Sequence, residues 1–180
     1  ESRITQFDGE NYFYARYYNS CTAFIPFGYR KGVKVKEQAK KLEAIVKNIK
    51  PLLVQMDSSA WEYRSAPNKW NRKQILGHLI DSAANNHQRF VRVQFEENPT
   101  ITYNPDNWVT TQNYEKASPQ NLIDLWVSYN THLAYVIYEI PESKLENRCE
   151  ISKENPVTLE WLANDYSRHL EHHLAQIFVI

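Results

Sequence analysis

SPQNLIDLWVSYNTHLAYVIYEIP, residues 118–141, is the stretch that decides the fold. Ser118 and Pro119 are typical of a helix cap and first turn, and Pro141 is typical of a position where a helix has ended. Between them, apolar residues recur at three- and four-residue steps, the spacing of one helix face: Leu122, Leu125, Trp126, Tyr129, Leu133, Val136, Ile137 and Ile140. The stretch therefore predicts a long amphipathic helix with one buried side.

Three further segments carry the same period and predict three more long helices. The first starts near Lys36 and contains Pro51, where we expect a kink or a break because proline lacks a backbone N–H. The second begins at a capping pair, Asn71 and Gln74, and the last follows Thr158, a residue type suited to capping. Four long helices with apolar faces indicate an all-α four-helix bundle.

The segments between and before these helices are also informative. The connections near 57–70, 98–117 and 141–157 are long for a bundle, and long ordered loops often build or cover a site. Residues 1–35 are rich in Tyr and Phe and show no helical period. They predict an irregular N-terminal arm, which fits an edge strand, an arm packed on the domain or on a partner, or a segment foreign to the fold. The bundle domain is then expected over residues 36–180.

Charge and cysteine content exclude several classes of protein. Lys and Arg number 21, as do Asp and Glu, so no net field attracts nucleic acid or an anionic membrane surface. Two distant cysteines, Cys21 and Cys149, indicate neither a disulfide framework nor a thiolate zinc site. The apolar stretch at 21–27 is short and contains Pro26, which suits neither a signal peptide nor a membrane span. A cytoplasmic protein is the resulting expectation.

The last helix carries the residues most suited to binding a metal. His169 and His173 are four positions apart, so both imidazoles lie on one side of a helix about a turn apart, whereas His172 points outward. Two neutral imidazoles can coordinate a transition metal, but such a pair needs a third ligand. Spacing alone leaves three candidates for that ligand: His78, His87 and His132.

The three candidates differ in their predicted surroundings. His87 lies in the apolar face of the second helix, where a hydrogen-bonded core histidine is the favoured interpretation. His132 flanks the buried face of the third long helix. His78 falls outside the apolar stripe of the second helix, so the period does not select it.

A family resemblance selects among these candidates. Residues from about 36 to 178 resemble the DinB-like superfamily, and within it the YfiT-type metal-dependent hydrolases, a branch that includes bacillithiol S-transferases. The segments that carry the resemblance are KWNRKQILGHLIDS at 69–82, RF at 89–90, ENP at 97–99, YNPDNW at 103–108, and the final helix from His169 to Ile177.

The resemblance implies a ligand set and a function. In that family the histidine of the HLxDS segment and two histidines of the last helix bind the metal, which implies His78, His169 and His173 as ligands of one divalent transition metal, zinc or nickel foremost. Relatives often carry another histidine where this chain has Gln176. The implied activity is metal-dependent hydrolysis of a small-molecule substrate, with water as the activated group. Relatives also frequently form dimers, so a homodimer is an expectation.

Two other functions stay open. A three-histidine centre with an open position suits binding of a low-molecular-weight thiol, which gives thiol S-transfer as the close alternative. A closed coordination sphere would instead indicate a non-catalytic, metal-stabilised binding module.

Several side chains near the predicted ligands are candidates for supporting roles. Asp81 comes one helical turn after His78, where a carboxylate can orient a ligand imidazole or accept a proton. The other interpretation of Asp81 is a solvated carboxylate on the helix surface. Tyr103 and Trp108 lie in a long connection and are candidates for lining a pocket, whereas Trp126, at helical spacing, is expected in the core.

Overall fold

A computed structural model of the chain describes residues 31–152 and 156–178, with side chains from Lys34 onward. Within these residues the chain forms five α-helices: α1 (Lys31–Val54), α2 (Arg72–Arg92), α3 (Pro105–Gln112), α4 (Pro119–Tyr138) and α5 (Leu159–Phe178). A two-stranded antiparallel ribbon pairs β1 (Arg148–Cys149) with β2 (Val157–Thr158) just before α5. None of the described helices is long and apolar enough to cross a membrane.

The four long helices form the predicted four-helix bundle. Helix α1 packs against α4 and α5, and α2 packs against the same two helices, so α1 and α2 occupy opposite corners. The short helix α3 packs on α2 alongside the bundle. Their apolar faces meet in one continuous core in which Leu42, Leu79, Trp126, Leu133 and Leu162 are almost fully excluded from water.

Local signals in the sequence explain where most helices begin. Asn71 caps α2 by accepting from the Gln74 backbone N–H, and the Gln74 side chain accepts in return from the Asn71 backbone N–H at 2.9 Å. Thr158 caps α5 through its hydroxyl, which accepts from the Trp161 backbone N–H at 3.1 Å. Both predicted caps are confirmed. Ser118 precedes α4 but makes no capping bond with its side chain, so Pro119 in the first turn marks that start.

Two features differ from the sequence-based expectation. Helix α1 begins at Lys31 and continues through Pro51 to Val54, so the helix does not break at the proline. The segment 98–117, expected to be a loop, contains α3 and a 3-10 turn at Tyr114–Lys116. The division into an arm over residues 1–35 and a domain over 36–180 stays a prediction, since residues 1–30 lie outside the described part of the chain.

Helix α2 is buried on more than one side. It is covered by α4 and α5 within the bundle and by α3 and the 3-10 segment Ser58–Glu62 outside it. Polar residues that a single apolar stripe would place in solvent are consequently enclosed: Arg72, Lys73, His78, Asp81, Ser82, Asn85, Asn86 and Arg89. This enclosure is what creates a polar site inside an otherwise apolar bundle.

Candidate metal centre

Three histidines from two helices meet between α2 and α5. One ring nitrogen from each of His78, His169 and His173 lies within 4.8 Å of the other two. His78 belongs to α2 and is only 3% exposed, while His169 and His173 are half-buried on α5. The structure thus brings together the three residues that the family resemblance selects, and it buries His78 even though the apolar period did not.

Hydrogen bonds outside the cluster orient two of the three rings. The Nδ1 atom of His173 lies 2.9 Å from Gln176 Oε1, and since that oxygen only accepts, Nδ1 carries the proton. The Nδ1 atom of His169 lies 3.5 Å from the Ser82 hydroxyl. His173 Nε2 therefore keeps its lone pair, and His169 Nε2 keeps its own when His169 Nδ1 donates to the Ser82 hydroxyl. Gln176 therefore supports His173, and its presence in place of the relatives' histidine leaves the three candidate ligands intact.

The spacing of the nitrogens fits a tetrahedral ion. His78 Nε2 and His169 Nε2 lie 3.3 Å apart. Two imidazole nitrogens bound at about 2.0–2.1 Å and at the tetrahedral angle would be separated by about 3.3 Å. The ring centroids of His173 lie 4.6 Å from those of both His78 and His169, which completes a three-sided arrangement. The donor set and its spacing fit one divalent ion with a position left open.

Burial keeps these imidazoles neutral. It lowers the pKa of His78 to about 3, with further contributions from His173 and His169, because a second positive charge beside the first is unfavourable. Burial likewise lowers the pKa of His169 to about 4 and lowers the pKa of His173. At neutral pH all three rings are therefore uncharged, the form that coordinates metals.

A buried carboxylate lies beside the cluster on α2. Asp81 is 1% exposed, which contradicts the interpretation of a solvated carboxylate. Its Oδ1 atom accepts from the Tyr114 hydroxyl at 2.6 Å and from Gln112 Nε2 at 2.5 Å. Burial raises the pKa of Asp81, and these two hydrogen bonds oppose that rise.

Two buried polar atoms in this region have no hydrogen-bond partner among the described residues. They are Asp81 Oδ2, an acceptor, and His78 Nδ1, which carries a proton when Nε2 faces a metal. Residues three apart on a helix share a face, so His78 and Asp81 are neighbours on α2, although these two atoms form no hydrogen bond with each other. Unsatisfied buried groups are costly and are usually explained by function or by a missing bound species.

Tyr114 reaches Asp81 because position 77 is glycine. A Cβ atom on Gly77 would overlap the Tyr114 ring, so only glycine lets this ring lie directly on α2. The tyrosine comes from the 3-10 turn after α3, and Gln112 is the last residue of α3. Helix α3 and its turn therefore hold the carboxylate in place. Sequence reasoning missed Tyr114, Gln112 and Gly77, although the Asn104-Pro105 pair that starts α3 was a readable signal.

Aromatic side chains border the site. The half-buried Trp70 ring packs against His78 with a centroid separation of 5.0 Å. The Tyr103 hydroxyl lies close to the Ser82 hydroxyl, and Trp108 packs edge-on against Tyr103 at 5.6 Å. These contacts place both predicted pocket candidates on the same side as Ser82 and His169. Trp126 is fully buried, as expected of a core residue.

The other histidines and Glu171 are not among the three residues that meet, although the His172 ring packs against His173 at 5.1 Å. His172 is exposed, and its Nε2 atom contacts the Gln176 amide at 3.1 Å. Glu171 points to α1 and forms an ion pair with Lys41 at 2.9 Å. His87 is half-buried between α2 and α4 and is hydrogen-bonded to Tyr129, while His132 is exposed on α4. Neither His87 nor His132 joins the three-histidine cluster.

Comparison with known proteins gives a consistent result. Residues 41–177 match the model of the DinB superfamily. A protein of Halalkalibacterium halodurans named "Putative metal-dependent hydrolase BH0277" is 24% identical over 139 residues, which are 77% of this chain and 81% of that protein.

Solved structures show the same bundle. YfiT from Bacillus subtilis, described as a probable metal-dependent hydrolase with an unusual four-helix bundle topology, superposes with a TM-score of 0.75 at 21% identity, covering 86% of this chain and 89% of that one. A mycothiol-dependent maleylpyruvate isomerase superposes with a TM-score of 0.68 at 13% identity, covering 81% of this chain and 61% of that one. At these identities the likeness establishes the fold.

Proposed function

We propose, from the premise that this chain belongs to the DinB superfamily, that it is a metal-dependent hydrolase whose divalent ion is held by His78, His169 and His173. The observation that carries the proposal is the 3.3 Å separation of His78 Nε2 and His169 Nε2, with the Nδ1 atom of His169 directed to Ser82. Two lone pairs that face each other at this distance repel unless a cation or a proton lies between them.

The chemistry follows from the donor set. A divalent ion on three neutral imidazoles supplies Lewis acidity at an open position, and it lowers the pKa of a water or thiol bound there. Imidazole nitrogen is a suitable ligand for both zinc and nickel, and these are the ions we expect first. The residues of the chain contribute by keeping the ligands neutral, fixing their tautomers and limiting access of bulk water.

We assign Asp81 an orienting role. Tyr114 and Gln112 hold its Oδ1 atom, which leaves Oδ2 as the acceptor available to the proton on His78 Nδ1. Carboxylates that accept from a metal-bound histidine fix the ring and raise its basicity. We expect a small-molecule substrate to enter beside Trp70, whose half-buried ring packs against His78.

A second candidate function is thiol S-transfer. It is favoured by the likeness of fold to a mycothiol-dependent isomerase, and by a borderline-soft metal site that accepts a thiolate as readily as water. In this alternative the same three histidines hold the ion, and the thiol takes the open position.

The experiment compares both reactions on one preparation. Untagged protein is loaded with zinc or nickel and assayed with a panel of chromogenic esters and amides, and separately with a low-molecular-weight thiol plus a bimane electrophile. The His169→Ala, His173→Ala double variant is the matched control. Metal-dependent ester or amide cleavage that is absent in the variant supports the hydrolase. Metal-dependent thiol transfer without cleavage supports the alternative. Metal that stabilises the fold but drives neither reaction contradicts both and favours a binding module.

A further inference from the structure

The two histidines that the metal cluster leaves out lie against each other on the other side of α2. His87 comes nine residues after His78, which places it about half a turn around the helix and about 13.5 Å further along its axis. There it faces α4, where His132 packs against it with a ring-centroid separation of 5.1 Å and an interplanar angle of 77°. The pair is thus separate from the centre between α2 and α5.

The geometry of this pair matches that of the three-histidine cluster. There, the ring centroids are 4.6 to 5.2 Å apart and the rings are inclined at 68° to 73°. Two imidazoles on one tetrahedral ion, each with its centroid about 3.2 Å from the metal, would have centroids about 5.2 Å apart. The 5.1 Å between the centroids of His87 and His132 is close to this value, so the two rings are near enough to share one ion.

Tyr129 supplies a supporting contact of the kind that metal-binding histidines use. Its hydroxyl lies 3.3 Å from His87 Nδ1. When His87 Nδ1 carries the proton and donates to that hydroxyl, Nε2 keeps its lone pair, and the ring is held by its contact with Tyr129. Tyr129 and His132 are three residues apart and share one face of α4. His87 and Tyr129 are half-buried and His132 is exposed, so solvent reaches the pair from one side.

We propose that His87 and His132 form a second metal site, which binds one exchangeable zinc, nickel or copper ion, with water completing its coordination. Two protein ligands and an exposed position make it weaker than the three-histidine centre. An ion bound there links α2 to α4, so its binding stabilises the folded bundle. Burial and the neighbouring His132 lower the pKa of His87, which keeps its ring in the neutral, coordinating form.

The test counts bound ions in the full-length, untagged chain. Zinc chloride, and in parallel copper chloride, is titrated calorimetrically into wild type, His87→Ala and His132→Ala. The His172→Ala variant is the matched control, since it removes an exposed histidine outside the pair. We expect His87→Ala and His132→Ala each to bind one equivalent fewer than wild type, and His172→Ala to bind as many. Tyr129→Phe should weaken that equivalent without removing it.

The outcome does not depend on the three-histidine centre. The comparison concerns the difference between variants, so it is valid whether or not wild type retains its first ion. His132 is exposed, so its replacement leaves the buried core unchanged and decides the test even if His87→Ala folds poorly. Equal stoichiometry in wild type and His132→Ala would overturn the proposal, as would loss of the same equivalent in His172→Ala. The second expected result concerns the melting temperature. It should rise when the last equivalent of metal binds to wild type, and this rise should be absent in His132→Ala.

Discussion

Helices α4 and α2 pack side by side and bury different kinds of side chain. Helix α4 encloses Leu122, Trp126, Leu133 and Ile137, with Asn130 as its one buried polar residue. Helix α2 encloses His78, Asp81, Ser82, Asn85, Asn86 and Arg89 as well as its apolar residues. Burying polar groups costs free energy unless they are fully paired. The comparison indicates that α4 serves stability, and that α2 accepts a loss of stability in order to hold a site.

The apolar side of this comparison gives the largest expected effect. Replacing Trp126 with alanine should lower the free energy of unfolding by about 3–5 kcal/mol, because a fully buried aromatic side chain leaves a cavity when it is removed. Urea denaturation of the metal-free protein measures the change. The folded fraction should still bind metal, and loss of metal from the folded protein would show that α4 shapes the site as well as the core.

Gly77 tests whether α2 is built around the approach of Tyr114. We expect Gly77→Ala to destabilise the fold by about 1–3 kcal/mol, because the new methyl group overlaps the tyrosine ring. The Gly77→Ala, Tyr114→Ala double variant removes the overlap. The double variant should therefore be more stable than expected from adding the losses in unfolding free energy of the two single variants. Strict additivity of those losses would count against the packing described here.

Asp81 tests the polar side of the comparison directly. Asp81→Asn should weaken metal binding about 10–100-fold, since it removes the carboxylate that we propose orients His78 in the metal-bound form. Asp124→Asn on α4 is the matched control, because that carboxylate is exposed and accepts a hydrogen bond from Gln120 on the same helix. Competition with a chelator of known affinity measures both variants. Equal affinities in the two would leave Asp81 with a structural role alone.

The pH dependence of the metal-free protein tests the neutral state of the buried histidines. The pKa values of His78 and His169 are about 3 and about 4 in the folded state, against 6.5 for an ordinary histidine. Between these values the unfolded chain binds protons that the folded chain does not, so acidification below pH 6.5 lowers the free energy of unfolding. Each such proton contributes about 1.4 kcal/mol per pH unit.

A variant separates this histidine effect from that of Asp81. The raised pKa of Asp81 acts with the opposite sign, since its protonated form is favoured in the folded state. The urea midpoint is measured at pH 7 and at pH 5 for wild type and for His78→Gln. Asp81 is present in both proteins, so its contribution cancels when they are compared. We expect the midpoint to fall less between pH 7 and pH 5 in the variant than in wild type. Equal falls in the two proteins would contradict the neutral state of buried His78.

The same comparison explains what could be predicted from the sequence. The apolar period of α4 has a single stripe, because that helix has one buried side, and the bundle follows from such stripes. Helix α2 is covered from several directions, so its period does not identify His78 as buried, and only the family resemblance selected it. Tyr114 and Gln112 lie 33 and 31 residues after Asp81, and no local pattern links residues that meet only through the placement of α3.

The central claim is that three neutral histidines between α2 and α5 hold one divalent ion. Elemental mass spectrometry on the untagged, dialysed protein tests it most directly, with His78→Ala, His169→Ala and His173→Ala measured beside wild type. We predict about one tightly held equivalent of zinc or nickel in wild type and its loss in each of the three variants. Full metal content in all three variants, or none in wild type after reconstitution, would contradict the account.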